Sequence, residues 1–194
     1  QKGSSPFAEK LGERVAGNNF NLIDDGNMDG GMGSTQFDDE GTRTQQTPVI
    51  QEGILQNFLY DNYTALKENK ESTGNANRAS YGSTPNPAPT NLILTPGDWT
   101  MEEEIRETQH GIYISDVIGE WLSNPISGEL NATITHGYLI EKGEITQPVK
   151  GMVLAGNFHQ LMKEQITAIA QDTDHTGNNY SPTVKIQKLT LSGE

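Results

Sequence analysis

The chain has 194 residues, of which 32% are hydrophobic and 21 are glycine, a composition that favours one strand-rich, loop-rich domain over a helical bundle. Its 26 Asp and Glu residues outnumber 13 Lys and Arg residues, and the formal net charge of −13 disfavours direct binding to nucleic acid or to an anionic membrane. The absence of cysteine excludes disulfides, thiolate metal ligands and a cysteine nucleophile, and no stretch approaches the roughly 18 apolar residues of a membrane span.

The first third of the chain predicts a short helix followed by a hairpin. Ser5 and Pro6 resemble a cap and first turn, and the apolar residues that follow recur every fourth position, which predicts a helix through Val15. Phe20–Asp25 predicts a strand that enters a Gly-rich loop. Glu52-Gly53 lies between two further predicted strands, Thr47–Gln51 and Ile54–Tyr60, and this pattern is typical of a hairpin.

The middle of the chain predicts a long polar loop, a strand and a capped helix. Residues 69–89 are rich in Asn, Ser, Gly and Pro and exceed the usual connection length. A strand is expected over 91–94. Thr100 and Glu103 have the spacing of a capping box, which predicts a helix that runs to about His110 and ends at Gly111.

The last third predicts strands around one long helix. Ile112–Ile118 predicts a strand, and residues 130–140 alternate between apolar and polar, which places His136 on the apolar face of the next strand. Its hairpin partner is expected over 145–149. Asn157 is predicted to cap the longest helix, whose apolar stripe runs from Phe158 to Ile169. A loop over 172–179 and a closing strand over 184–191 complete the pattern.

These elements together predict an α+β fold. The expected architecture is mainly antiparallel β-sheet hairpins with about three inserted helices, in a single domain that spans residues 1–194. No internal repeat or domain boundary is evident in the sequence.

The segment Asp25–Gln36 has part of the spacing of a calcium loop. Oxygen-bearing side chains at alternate positions precede Gly30 at the sixth position, as in an EF-hand. Position twelve is Gln36 rather than the bidentate Glu, and strand-like sequence flanks the loop. A Gly-rich turn between strands is therefore favoured over a calcium site.

The other ionisable clusters do not have the spacing of a known site. The four histidines (His110, His136, His159 and His175) show no H-E-x-x-H spacing, so no zinc site is predicted. Three consecutive glutamates at 102–104 suit the dipole of a first helical turn. The acidic segment Asp38-Asp39-Glu40, next to Gly41, is more typical of a solvated turn than of a catalytic pair.

A series of short segments, in this order and at this spacing, resembles the C-terminal domain of the TldD/PmbA family. The resemblance covers essentially the whole chain. The segments are Ser5–Glu13, Ile23–Gly26, Phe37–Thr42, Gln51–Leu55, Ser72–Ala76, Pro89–Leu92, Thr95–Gly97, Gly128 with the strand after it, Ile140–Glu144, Pro148–Gly151 and Gly156–Phe158.

The resemblance implies a two-domain protein whose N-terminal half is absent here, in agreement with a chain that begins at Gln1 rather than Met. Family members form dimers, and TldD pairs with TldE, also called PmbA, as a peptidase acting on unfolded or modified peptides. The TldD type carries an H-E-x-x-x-H helix, which would lie upstream of Gln1, and a Cys ligand in a Gly-x-Cys-Gly-Lys segment. The corresponding stretch Asp172–Tyr180 lacks that Cys, so the TldE/PmbA type is expected.

The expected function is therefore that of a non-catalytic subunit in a cytoplasmic TldD/TldE peptidase complex, binding no metal or other cofactor itself. Expected partners are a TldD-type catalytic subunit or a second copy, together with peptide substrates. The PmbA subfamily's association with DNA gyrase is read as indirect, given the acidic charge. A calcium-dependent β-rich binding module and an active hydrolase using Asp38, Asp39 or Glu40 are the alternatives. The candidate cleft or interface residues are Asp38, Asp39, Glu40, Gly41, Asn75 and Asn91.

Overall fold

The computed structural model describes residues 5–193, and two antiparallel-rich sheets dominate it. The strands are β1 (Leu22–Asp25), β2 (Gln46–Gln51), β3 (Ile54–Leu55), β4 (Ala76–Asn77), β5 (Asn86–Pro87), β6 (Leu92–Leu94), β7 (His110–Ile118), β8 (Glu129–Glu141), β9 (Glu144–Val149), β10 (Val153–Asn157), β11 (Ile166–Ile169), β12 (Asp174–Thr176), β13 (Asn179–Ser181), β14 (Val184–Ile186) and β15 (Thr190–Ser192). The helices are α1 (Asn62–Lys67), α2 (Met101–Arg106) and α3 (Phe158–Gln160), with a 3-10 turn at Glu120–Leu122 and a π turn at Leu161–Gln165. The predicted α+β class is confirmed.

The six-stranded sheet has the order β12-β13-β6-β1-β2-β3. Its pairs are antiparallel except β13 with β6, which run parallel with Asn179 opposite Leu92 and Tyr180 opposite Ile93. This single parallel pair brings the end of the chain beside its middle. The core packed on this sheet is a cluster of buried apolar residues: Val15, Ala16, Phe20, Ile50, Leu55, Leu94, Met162 and Ile169.

The second sheet has the order β15-β10-β8-β7, and β9 pairs with the far half of β8. β8 is therefore the shared central strand, paired with β10 over residues 129–133 and with β9 over 137–141. The two remaining sheets are the two-stranded pairs β4–β5 and β11–β14. Within residues 5–193, no helix has the length and apolar character needed to span a bilayer.

The predicted N-terminal helix is absent, and residues 5–13 form successive turns instead. Glu9 and Gly12 both have positive φ, of 62° and 82°, which a right-handed helix does not allow. The chain pairs here with the β2–β3 hairpin: Gly12 N donates to Leu55 O at 2.8 Å, and Val15 N donates to Gly53 O at 2.8 Å. Val15 is buried in the core and Phe7 packs against it without helical backbone, whereas Leu11 is exposed.

The long helix predicted from Phe158 to Ile169 was also wrong. Asn157 does cap a helix, since its side chain accepts from Gln160 N at 3.1 Å, but the helix and π turn end at Gln165. Residues 166–169 then form β11 and pair with β14. The β-branched residues of Ile-Thr-Ala-Ile favour extended backbone. The apolar stripe alone did not distinguish a helix from a strand here.

Other boundaries shift without changing the fold class. The Thr100–Glu103 capping box is confirmed, but the helix ends at Arg106, and His110 is the first residue of β7. The strand predicted over 54–60 stops at Leu55 and is followed by α1, which the sequence patterns did not indicate. The loops predicted over 69–89 and 172–179 contain the hairpins β4–β5 and β12–β13, and the closing strand is split between β14 and β15.

His136 does not lie on the buried face of β8. Register shifts at residues 114–117 of β7 interrupt the alternation, and the His136 side chain is 74% exposed. Its Nδ1 lies 3.4 Å from Asp116 Oδ2. The bulge, which a single-strand pattern does not reveal, therefore turns this histidine to solvent.

Candidate functional site

A cleft of about 310 Å³ opens beside the six-stranded sheet. Its walls come from the loop 33–39, the segment 74–77, residues 88–90 and Asn178. Of the residues that the sequence singled out, Asp38, Asp39 and Asn75 line this cleft, whereas Glu40, Gly41 and Asn91 are not among its lining residues. The structure therefore brings half of the predicted set to one cavity.

Asp38 organises the loop that forms one wall of the cleft. Its Oδ1 accepts from the backbone N of Glu40 at 3.0 Å and of Thr42 at 2.8 Å, and its Oδ2 accepts from Ala76 N at 3.0 Å. Gly41, with φ of 78°, closes the turn by donating to Asp38 O. Three backbone donors satisfy this carboxylate, so its role in this structure is to hold the loop against β4.

Asp39 and Glu40 also bond to backbone donors. Asp39 Oδ2 accepts from Arg78 N at 2.7 Å, which continues the attachment of the loop to the β4 segment. Glu40 Oε2 accepts from Asn62 N at 2.8 Å, at the first residue of α1. A carboxylate at a helix N-terminus is favourable there. All three acidic side chains therefore accept hydrogen bonds that hold the backbone in place at the rim of the cleft.

A buried carboxylate lies beneath the cleft. Asp24, in β1, is 1% exposed, and its Oδ1 accepts from Thr90 N at 2.7 Å. Its Oδ2 accepts from Thr90 Oγ1 at 2.9 Å and from Asn75 Nδ2 at 2.6 Å. Burial raises the pKa of Asp24, and these hydrogen bonds oppose that shift in part. Asp24 therefore fixes two cleft-lining residues, Asn75 and Thr90.

The sequence patterns did not single out Asp24 as a site residue. Its only signal was two acidic residues at the end of an apolar strand, Asp24-Asp25. Nothing in that pattern says which of the two is buried, because the answer depends on segments 51 and 66 residues further along the chain.

Asn91 is fully buried and braces the Gly-rich loop from behind. Its Nδ2 donates to Asp25 O at 2.7 Å and to Ser34 Oγ at 2.9 Å, and its Oδ1 accepts from Gly33 N at 2.8 Å. A Cβ at Gly33 would overlap the carbonyl of Thr90, so glycine is required for this close approach.

The hairpin β12–β13 closes the other side of the cleft. Asn178, in its turn, donates from Nδ2 to Thr90 O at 2.5 Å and to Pro89 O at 3.2 Å. Leu92 N donates to Asn178 O at 2.9 Å, and Tyr180 Oη accepts from Met32 N at 3.0 Å. Asn178, within the stretch 172–179 that was predicted as a plain loop, is thus part of the cleft wall.

The side chains of residues 5–193 that could bind a metal are not arranged to hold a zinc ion. No three His, Cys, Asp or Glu side chains between residues 5 and 193 come together as a potential metal site. The four histidines lie on separate elements: His110 and His136 in β7 and β8, His159 in α3 and His175 in β12. Zinc needs three or four converging donors, so no step through a metal is assigned to these residues.

In the segment Asp25–Gln36, which was predicted to be a turn rather than a calcium site, the first carboxylate is already engaged. Asp25 Oδ1 accepts from Asn27 N at 2.8 Å, and Oδ2 accepts from Gln46 Nε2 at 2.9 Å. The loop follows β1 directly and returns by way of Thr35 N donating to Gly26 O at 3.1 Å. This geometry is that of an Asx turn between strands.

We therefore expect millimolar calcium to leave the melting temperature of the protein unchanged, because a ligand stabilises only by binding the native state. Differential scanning fluorimetry with and without calcium would measure this, with magnesium as the control ion. An upward shift that Asp25→Ala and Asp29→Ala both abolish would contradict the prediction.

Comparison with known proteins gives consistent matches over the whole chain. The family model described as the PmbA/TldA metallopeptidase C-terminal domain matches residues 1–193. The metalloprotease TldD homolog of Haemophilus influenzae is 34% identical over 207 aligned positions, which cover 100% of this chain and 42% of that protein. The chain therefore spans less than half the length of this curated relative.

Solved structures match equally well. A proposed modulator of a DNA gyrase from Thermotoga maritima superposes with a TM-score of 0.89 at 35% identity, covering 99% of this chain and 43% of that one. TldE from Thermococcus kodakarensis superposes with a TM-score of 0.87 at 27% identity, covering 99% and 44%. Proteins named TldD and TldE are thus both similar to this chain, and the names alone do not distinguish the two types.

Proposed function

Because the chain belongs to the PmbA/TldD metallopeptidase family and matches the C-terminal domain of that family, we propose that it is part of a non-catalytic subunit of the TldE/PmbA type. This subunit would belong to a TldD/TldE peptidase complex. The complex acts on unfolded or modified peptides, and this subunit contributes structure and peptide contacts while the TldD-type partner contributes the metal. The chain forms one domain of a longer cytoplasmic protein.

The observation that carries the proposal is the identity of the side chains at the β12–β13 hairpin. In the catalytic type, the resemblance places a Cys ligand in this stretch. Here the residue that reaches the cleft is Asn178, whose Nδ2 is committed to the carbonyls of Thr90 and Pro89. A primary amide does not replace a thiolate as a zinc ligand, so this wall supports positioning rather than metal chemistry.

The cleft has the surfaces that an extended peptide requires. Phe37, at its rim, is 56% exposed and offers an aromatic ring to an apolar side chain. The floor supplies polar groups from Asn75, Thr90 and Asn178. Because Asp38 and Asp39 are held by backbone amides, the cleft keeps its shape without a cation.

The partner surface is proposed on the neighbouring sheet edge. β12 is the outermost strand on that side of the six-stranded sheet, and all three of its residues are exposed. An edge strand offers unpaired backbone groups to a strand of another chain. A TldD-type subunit docked there, or a second copy in a homodimer, would place its own residues close to the cleft.

Metal content and assembly test the proposal together. We expect the purified chain to contain no stoichiometric zinc, because its described residues lack converging donors. Mixed with a TldD-type partner, it should elute in a common complex on size-exclusion chromatography, with all zinc attributable to the partner by elemental analysis. About one zinc per chain retained by this protein alone after dialysis would overturn the assignment.

A further inference from the structure

Large apolar residues are exposed at the end of the β7–β8 hairpin. Four of them, Ile118, Trp121, Leu122 and Ile126, fall within residues 118–126, and Phe158 joins them from the segment after β10. Each of the five is between 50% and 70% exposed, and together they are called the apolar tip. A tryptophan among exposed aliphatic residues is typical of an interface anchor, and an exposed apolar patch on a soluble chain marks an interaction site.

Hydrogen bonds hold the backbone of the apolar tip in one arrangement. Asn124 N donates to Glu129 O at 2.8 Å, which closes the loop at the start of β8. Ile126 N donates to Asn124 Oδ1 at 2.9 Å, and Phe158 N donates to Gly128 O at 2.7 Å, which joins the segment after β10 to the hairpin. The exposed side chains therefore project from an ordered loop, so a partner that binds them pays little entropy to order the backbone.

The charges around the apolar tip are of one sign. The sequence from Glu107 to Glu141 contains no Lys or Arg. Glu120, directly before Trp121, and Glu129, the first residue of β8, are both exposed. Such a rim attracts cationic groups and repels an anionic membrane surface. A symmetric contact with a second copy would bring the same glutamates together, which is unfavourable.

We propose that the apolar tip docks a segment of a partner protein in which apolar residues are flanked by lysine or arginine. Trp121 and Leu122 supply the apolar contact, and Glu120 and Glu129 select for the cationic flanks. The tip belongs to the sheet that contains β8, whereas the cleft lies beside the six-stranded sheet. The proposal therefore does not rest on the function proposed above.

Fluorescence anisotropy with the full-length protein tests the proposal. The probe is a labelled peptide of Leu-Trp-Leu-Leu with two lysines at each end, and the matched probe carries glutamates in place of the lysines. We expect saturable binding of the lysine probe, and binding of the glutamate probe should be about tenfold weaker or more, because its flanks meet charges of their own sign.

Two pairs of substitutions locate the apolar contact. Trp121→Ser with Leu122→Ser should raise the Kd of the lysine probe about tenfold or more, because it removes the anchor side chains. The matched control is Tyr63→Ser with Leu66→Ser in α1, where an aromatic residue and a leucine are 64% and 80% exposed. This control should change Kd less than about twofold. All four positions are exposed, and circular dichroism would confirm that both variants fold.

Glu120→Gln with Glu129→Gln tests the charge, and it should raise Kd for the lysine probe about threefold or more, with a smaller effect at about 0.5 M salt. Glu71→Gln with Glu102→Gln removes the same charge from exposed positions outside the tip and should leave Kd within about twofold. No saturable binding of the lysine probe, or equal affinity in either tip pair and its control, would overturn the proposal. Dimerisation that Trp121→Ser abolishes, without probe binding, would assign the tip to a second copy and overturn it too.

Discussion

Peptide cleavage is expected only from a mixture of this protein, in its full-length form, with a TldD-type partner. Alone, the protein should release no more product than buffer, because no three potential metal-binding side chains come together among residues 5–193. The mixture should cleave unfolded peptides, and a chelator should remove that activity. Product release from a quenched fluorescent peptide would be measured for the protein alone, for the mixture, and for the mixture with chelator.

The control for this experiment shows which of the two subunits uses the zinc. Zinc restored to the chelated mixture should restore cleavage, whereas zinc added to this protein alone should not. Robust cleavage without a partner would show that the subunit assignment is wrong and would favour the active hydrolase. Because Asp38 and Asp39 accept from backbone amides, their charge reversal would disturb the loop itself, so these variants are poor tests of catalysis.

Asp24→Ala should be the most damaging single change in the cleft. It leaves the buried donors Thr90 N and Asn75 Nδ2 without their acceptor, and unsatisfied buried donors cost about 1–3 kcal/mol each. Relief of the buried charge offsets part of this, so we expect a net loss of about 3 kcal/mol in the free energy of unfolding. Urea denaturation would measure it. Asp29→Ala, at an exposed position, is the control and should change stability by less than about 0.5 kcal/mol.

Asp24→Asn gives a pH test of the same carboxyl. Burial raises the pKa of Asp24 above its ordinary value of 3.8, so the folded state holds this proton more tightly than the unfolded state does. The stability that Asp24 contributes is therefore greatest below pH 3.8 and is lost as pH rises through the raised pKa. The free energy of unfolding of the natural protein minus that of Asp24→Asn should fall across this window, measured by urea denaturation. A difference that rises with pH would contradict the shift.

Hairpins and caps were predictable from the sequence because they depend on neighbours in the chain. The β2–β3 turn at Glu52-Gly53, the β8–β9 turn at Lys142-Gly143 and the Thr100–Glu103 capping box all occur as expected. Each needs only a residue with suitable φ or a side chain within three positions. The α+β class follows from the same local signals.

The errors arose where distant contacts decide the backbone. The 158–169 stripe has a helical period, yet pairing with β14 makes its second half a strand. The acidic segment 38–40 was singled out as a candidate from the sequence, but the carboxylate beneath the cleft was not, because Asp24 is buried by Asn75 and Thr90 from other segments. Tertiary pairing overrides local periodicity in these places.

The parallel pairing of β13 with β6 has a consequence for biosynthesis. Asn179 lies opposite Leu92, so nearly the whole chain must leave the ribosome before the last wall of the cleft can dock. Such a non-local contact forms slowly. Until residues 174–181 have emerged, the cleft lacks the wall that Asn178 supplies and stays open on that side.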